Sequence, residues 1–287
     1  MLAVAMNIHL FPADHVAVGL RADLINAAYA DYFVPVHLTA ESMRSVDDLY
    51  DVDLARSVVA YARSEPVGMA LLSRRGDRGW VSGVGVAPAW RRRGVGRQMM
   101  AAVLVRAQEA GVRQVALEVI AQNSAARVLY SALGFAPGRE LLCWRRAADA
   151  DALPIPEERL TEASPDELLA HFAEWHDQRP CWQGEAATLG KMADRVRGYR
   201  LELAGAAAAY CLISERGEAL MLMDVGINPQ YGAVTAGRTL LQALVALYRG
   251  RALALNNVPV DSDLNRALAA LHFLVGARQL EMWRALM

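Results

Sequence analysis

Val81-Ser-Gly-Val-Gly-Val-Ala-Pro-Ala-Trp-Arg-Arg-Arg-Gly-Val-Gly-Arg-Gln-Met-Met100 is the stretch on which the fold turns. Val81, Val84 and Val86 suit a strand, and Pro88 ends it. Beyond Gly96, the residues Met99, Ala102, Val103 and Ala107 recur at helical spacing. Gly94 and Gly96 therefore open a helix. A helix start leaves several backbone N–H groups without partners, and small residues let them converge into a nest for an anion. Phosphate suits such a nest. Arg91, Arg92, Arg93 and Arg97 add charge around the same turn, more than a single carboxylate needs.

Two familiar phosphate loops are excluded: the dinucleotide fingerprint needs a third glycine, and the P-loop needs Gly-Lys-Ser/Thr before its helix. Arg91-Arg-Arg-Gly94-Val-Gly96 instead resembles the Arg/Gln-x-x-Gly-x-Gly/Ala element of the GNAT superfamily of N-acetyltransferases. A second element of that superfamily follows in Leu117-Glu-Val119, Asn123-Ser-Ala-Ala126-Arg-Val-Leu129-Tyr130 and Leu133-Gly134-Phe135. The resemblance covers about residues 5–145.

The resemblance implies acetyl-CoA as cofactor, with its diphosphate on Arg91, Arg92, Arg93, Gly94, Val95, Gly96 and Arg97. It implies that the pantetheine arm lies along Val84–Val86, near Asn123, with a backbone N–H by Val86 facing the thioester. Asn123 is equally an ordinary helix cap. Tyr130 matches the tyrosine that often protonates the departing thiolate. Glu118 is the nearest motif residue able to take a proton; strand alternation points it either into the cleft or into solvent. His37 is a second candidate base. The implied acceptor wall is Tyr29, Tyr32, Phe33 and His37, residues that would serve equally as core between helices and sheet.

Around this centre the pattern predicts a strand over Asn7–Phe11 and a helix over Asp14–Ala28 with Asp14 as cap. A helix near Thr39–Val46 follows, then strands over Arg56–Arg63, Pro66–Arg74 and Trp80–Val86. After the glycine turn come a helix to Ala110, a strand over Gln114–Val119 and a helix over Ser124–Leu133. Ala, Asp and Pro then dominate up to Glu158, and Ser164-Pro-Asp-Glu167 reads as a new helix start. The expected domains are 1–147, catalytic and acetyl-CoA-binding; 148–158, a linker; and 159–287.

The second domain is a weak repeat of the first. Gly85-Val-Ala-Pro88 lies over Gly226-Ile-Asn-Pro229, and Gly96-Arg97 over Gly237-Arg238; one residue further on, Asn123 lies over Asn265. The expected class is α/β (α+β): two tandem acetyltransferase-like domains, each a mixed, mostly antiparallel twisted sheet flanked by helices. The second copy has Gly232 for Arg91, Thr235 for Gly94, His272 for Tyr130 and Ala277 for Phe135, so it is expected not to catalyse. A different mode of ligand binding, with Arg238 near the phosphates, is the alternative for that copy.

The 287 residues carry 30 Lys and Arg against 31 Asp and Glu, so no global field draws the chain to nucleic acid or an anionic membrane. The apolar first dozen residues lack a basic n-region and do not read as a signal peptide. Cys143, Cys181 and Cys211 have neither metal-ligand spacing nor an even disulfide set, which points to a reducing cytoplasm and no metal site. The expected function is N-acetylation of a small-molecule, amino-acid or peptide amine. The competing one is a non-catalytic acyl-CoA-binding sensory module. Edge strands and an apolar second domain are compatible with a homodimer.

Overall fold

A computed structural model describes residues 7–33, 36–151, 153–216 and 219–286. The expectation for the chain's first six residues lies outside this set. Two compact units emerge, one of residues 1–138 with 281–287, the other of 139–280. The division falls before the composition change at 148–158 and is discontinuous, because sheet membership follows strand pairing and not chain order.

The first unit contains β1 (Ile8–Pro12), α1 (Val18–Ala28), α2 (Ala40–Leu49), β2 (Val58–Ala62), β3 (Glu65–Arg75), β4 (Arg78–Val86), α3 (Val95–Glu109), β5 (Gln114–Ile120) and α4 (Ser124–Ala132). Its strands run in the order β1-β2-β3-β4-β5, followed by the end of β12 (Leu274–Ala285). β1 to β4 are antiparallel neighbours, whereas β4 and β5 are parallel. Helix α1 starts later than the pattern predicts. A short 3₁₀ turn occupies Ala13–His15, and the N-cap is Ala17 with no side-chain bond, so Asp14 caps nothing there. In α2, Thr39 and Ser42 form a reciprocal capping box. Ala13, Ala22, Leu24, Ile25, Met43, Met69 and Leu71 form the core between these helices and one sheet face.

The second unit uses most of β6 (Ala136–Arg146) with β7 (Leu160–Ala163), α5 (Pro165–Leu169), α6 (Ala186–Gly190), β8 (Arg197–Leu203), β9 (Ala206–Arg216), β10 (Ala219–Ile227), α7 (Arg238–Leu247), β11 (Ala252–Pro259) and α8 (Leu264–Ala270). Its order is the start of β12, then β6-β11-β10-β9-β8-β7. β10 and β11 are parallel, whereas β6 with β11, β10 with β9, β9 with β8 and β8 with β7 are antiparallel. Ser164 caps α5, accepting from the Glu167 N–H at 3.2 Å, with Pro165 in the first turn.

The two units share one plan: antiparallel strands, a parallel neighbour reached through a crossover helix, then a short helix and a last strand. Both are mixed, mostly antiparallel sheets flanked by helices. Among the described residues no helix is long and apolar enough to cross a membrane. All three cysteines are free and buried.

Candidate active site

The site begins with a strand that loses its neighbour. β4 pairs with β5 only over Arg78–Trp80 and Gln114–Ala116, although β4 continues to Val86 and β5 to Ile120. Against β3, the register passes from Leu72↔Val81 to Leu71↔Gly83, leaving Ser82 as a bulge. Bulges bend a strand and strengthen its twist. Beyond Trp80 the two parallel strands therefore diverge and leave a cleft.

Antiparallel bonding alternates, so the register tells which peptide groups face that cleft. The Ala87 N–H donates to the Val67 carbonyl at 2.9 Å, and Met69 stands opposite Gly85. The peptide groups of Val84 and Val86 thus point away from β3, toward β5. Their carbonyls are taken: Val84 accepts from the Tyr29 hydroxyl at 2.9 Å and Val86 from Arg91 Nε at 3.2 Å. What the edge offers an incoming ligand is N–H donors.

The turn after β4 carries the arginines. Arg92 (φ 63°) and Gly94 (φ 81°) both occupy left-handed backbone, and Gly94 is the N-cap of α3. A non-glycine residue held at positive φ costs about 1–3 kcal/mol and persists where the surroundings require it. Here left-handed residues curl successive N–H groups into one concavity. A Cβ built on Gly94 meets nothing within 4 Å, so the space over the turn is open. A Cβ on Gly96 meets Leu129 at 3.4 Å and Val86 at 3.7 Å, so the second glycine is a packing position between α3, β4 and α4.

The individual side chains divide. Arg92 and Arg97 are exposed beside the turn, and Arg93 lies over the Trp90 ring at 5.2 Å. Val95 is buried, which leaves only its N–H for the concavity. Arg91 turns inward: Nη1 and Nη2 form a bidentate pair with Asp31 at 2.7 and 2.6 Å, and Nη2 also reaches the Ala28 carbonyl at 3.0 Å. No sequence spacing connects Asp31 with Arg91.

Across the cleft the tyrosines converge. The Tyr29 and Tyr32 rings meet edge to face at 4.7 Å, and burial raises the Tyr32 pKa, opposed by the Asn123 side chain. Asn123 accepts from the Ala126 N–H at 3.1 Å, so it caps α4. Tyr130 is buried with its ring 6.0 Å from Phe135. Burial, then the proximity of Tyr29 and Tyr32, drives the Tyr130 phenol far above its ordinary pKa. Burial and Tyr32 push Tyr29 up to about 12. All three phenols stay protonated near neutrality. Phe33 is exposed and packs on Tyr32 at 5.3 Å; His37 is exposed.

Glu118 lies on β5 with its Oε2 accepting from Trp80 Nε1 at 2.7 Å, and Tyr50 packs edge-on against that indole at 5.5 Å. Glu118 is half-buried and, from the Trp80↔Ala116 register, lies on the sheet face it shares with Trp80. The indole that orients it was not anticipated, because residues 38 apart give no periodic signal.

The corresponding strand edge of the second unit has another fate. β10 and β11 pair only over Ala219–Leu222 and Ala252–Leu255, and Met223 is the bulge against β9. The Ile227 N–H stands where the Val86 N–H does, but it donates to the Trp175 carbonyl at 2.8 Å. Next to Trp175, His176 places Nε2 at 2.8 Å from Asp224 Oδ1 and Nδ1 at 2.7 Å from the Phe172 carbonyl. The Tyr210 hydroxyl donates to Asp224 Oδ2 at 2.7 Å. With acceptors at both ring nitrogens, only the imidazolium satisfies the site. Asp177 then accepts from Ser262 Oγ at 2.9 Å and from the Asp263 N–H at 2.6 Å, just before α8. Residues 175–177 thus strap β10 to the start of α8. After β10, residues Gly232–Gly237 form a π-helical turn, and Gly237 has ordinary helical backbone (φ −64°).

The repeat register also changes past α7. Phe135 and Phe273 both donate their N–H to the residue five earlier, Tyr130 and Leu268, and Gly134 and His272 both have positive φ. Leu268 therefore stands in the place of Tyr130, Phe273 in that of Phe135 and His272 in that of Gly134, correcting the register that put His272 and Ala277 there. Asn265 is no counterpart of Asn123. It lies within α8, donating to the carbonyls of Pro259, Val260 and Ser262 and accepting from Trp144 Nε1.

Comparison with known proteins identifies the family and the architecture. The model of the acetyltransferase (GNAT) family matches residues 23–135. A mycothiol acetyltransferase from Clavibacter michiganensis subsp. michiganensis (strain NCPPB 382) is 31% identical over 231 residues, 74% of this chain and 73% of that protein. The chain belongs to the GNAT acetyltransferase family. Its architecture is the tandem one: a tandem GNAT protein from the clavulanic acid biosynthesis pathway superposes with a TM-score of 0.69 at 18% identity, covering 97% of this chain and 98% of that one. A GCN5-related N-acetyltransferase from Sphaerobacter thermophilus gives 0.72 at 19% identity, covering 99% and 97%.

Proposed function

We propose that the first unit carries an acetyl group from acetyl-CoA to a primary amine of a small molecule, amino acid or peptide, by direct attack in a ternary complex. The observation that carries this reading is the diverging β4 edge, whose cleft-facing N–H groups at Val84 and Val86 run straight into the left-handed turn at Arg92–Gly94. The open space over Gly94 and the charges of Arg92, Arg93 and Arg97 suit a diphosphate. The name of the curated relative adds support for an amine on a small thiol-containing molecule as one acceptor.

Acetyl-CoA supplies the activated acyl group. The chain's own residues would do the rest. The Val86 N–H is the donor available to a carbonyl lying in the cleft. Tyr130, kept protonated by burial, donates to the departing sulfur. Glu118, aligned by Trp80, accepts the amine proton directly or through water, with His37 as the second candidate. Tyr29, Tyr32 and Phe33 wall the acceptor side.

The test is calorimetric titration with acetyl-CoA together with thiol release over a panel of amines. One site per chain, lost or weakened in Gly94→Val, with amine-stimulated thiol release, supports the reading. Binding with no release by any amine favours the sensory module, and no binding ends both.

A further inference from the structure

The first arginine of the glycine turn has its side chain committed to protein acceptors away from the concavity of the turn. Of the five N–H donors of a guanidinium, Arg91 spends four on protein acceptors: Nε on Val86, Nη2 on Ala28 and Asp31, and Nη1 on Asp31. Ala28 is the last residue of α1, so its carbonyl belongs to the negative end of that helix, where a guanidinium is favoured. The next residue, Tyr29, caps the cleft-facing carbonyl of Val84, two residues before the carbonyl that Arg91 caps. Tyr32 follows Asp31 directly and packs its ring against Tyr29 at 4.7 Å.

From these contacts we infer that Arg91, with Asp31, is a positioning residue that couples the cofactor turn to the tyrosine wall of the acceptor site. Its backbone belongs to the turn, and its side chain sets where α1 ends. Ordering the turn around a diphosphate orders Ala28–Tyr32 with it, so an occupied cofactor site presents Tyr29 and Tyr32 in register for the acceptor. The inference rests on the proposed cofactor site and assigns Arg91 a role distinct from holding phosphate.

Hydrogen exchange of the intact chain, with CoA as the probe, tests it alongside calorimetric CoA affinity in wild type, Asp31→Asn, Asp31→Glu and Arg91→Lys. In the wild type, CoA protects the amides of residues 29–33 as well as those of 91–97. In Asp31→Asn, CoA affinity stays within about threefold while its protection of 29–33 falls by about fivefold or more, and Asp31→Glu restores it. Wild-type CoA binding without protection at 29–33 overturns the inference. So does unchanged coupling in Asp31→Asn with CoA affinity falling about tenfold in Arg91→Lys, the pattern of a phosphate ligand. If CoA does not bind the wild type, the cofactor reading fails by itself. The clamp is then judged without ligand: faster exchange at 29–33 in Asp31→Asn sustains it, and unchanged exchange overturns it.

Discussion

The edges of β4 and β10 are the same piece of architecture put to two uses. Each carries a bulge, at Ser82 and at Met223, each parts from a parallel neighbour, and each sends two peptide groups into the gap. At Val86 the cleft-facing N–H is a donor to whatever enters. At Ile227 the same donor already holds the Trp175 carbonyl, and the His176–Asp224–Tyr210 network fixes that strap in place. Keeping the strand geometry is therefore not enough to keep a binding edge: a segment of the chain's own backbone can satisfy it.

The largest effect is expected where the closed edge is opened. Tyr210 is fully buried, its ring packed so closely on Gly226 that a Cβ there would collide with it, and it stacks near Trp175. Tyr210→Ala should destabilise by about 3–5 kcal/mol, from the cavity and the orphaned Asp224 oxygen together. Urea unfolding measures it, and a cost under about 1 kcal/mol would mean that the network does not hold the strap.

In the open edge, Tyr130→Phe should lower turnover by about a hundredfold while acetyl-CoA affinity is retained, since only the proposed donor to sulfur is removed. Unchanged turnover takes Tyr130 out of the mechanism. Gly96→Val should cost about 1–3 kcal/mol and weaken acetyl-CoA binding, because the added methyls press on Leu129 and Val86. Calorimetry and melting curves read both.

A smaller effect separates the units by pH. Burial alone lowers the His176 pKa, but the hydrogen bond and charge of Asp224, with the Phe172 carbonyl and the charge of Asp177, outweigh it, and the net shift is upward. A raised folded pKa means that this contribution is fully present below the unfolded value, about 6.5, and is lost as pH rises through the folded value. The gap in melting temperature between wild type and His176→Gln should therefore be widest in mild acid and close as the pH rises. A gap independent of pH would show that His176 acts through packing alone.

The smallest expected effect is none. Restoring the motif in the second unit with Gly232→Arg and Thr235→Gly should leave acetyl-CoA stoichiometry at its wild-type value, because the Ile227 donor remains with Trp175. A new site would show that the missing glycine and arginine, and not the strap, close that edge.

Much of the first unit was legible in the chain because its signals are local. Valine spacing, Pro88 and the two glycines mark strand, stop and helix within twenty residues, and Asn123 with Tyr130 lies on one short helix. The repeat was legible as far as Gly237 for the same reason. Past α7 its register shifts with no local mark, so Leu268 and not His272 replaces Tyr130. Asp14 illustrates the limit of a local rule: an acidic residue before an apolar run is read as a cap, but a 3₁₀ turn intervenes.

The sequence by itself determined which residues form the glycine and arginine turn, that aromatics cluster over residues 29–33, and that a second, altered copy follows. Tertiary structure alone decided that Arg91 faces Asp31, that Trp80 holds Glu118, and that Trp175 closes the edge at Ile227. The reason is physical. Turns and periodic faces depend on neighbours a few residues away, whereas the partner of a guanidinium, a carboxylate or a strand-edge N–H is set by which distant segments the packed sheet brings within 3 Å.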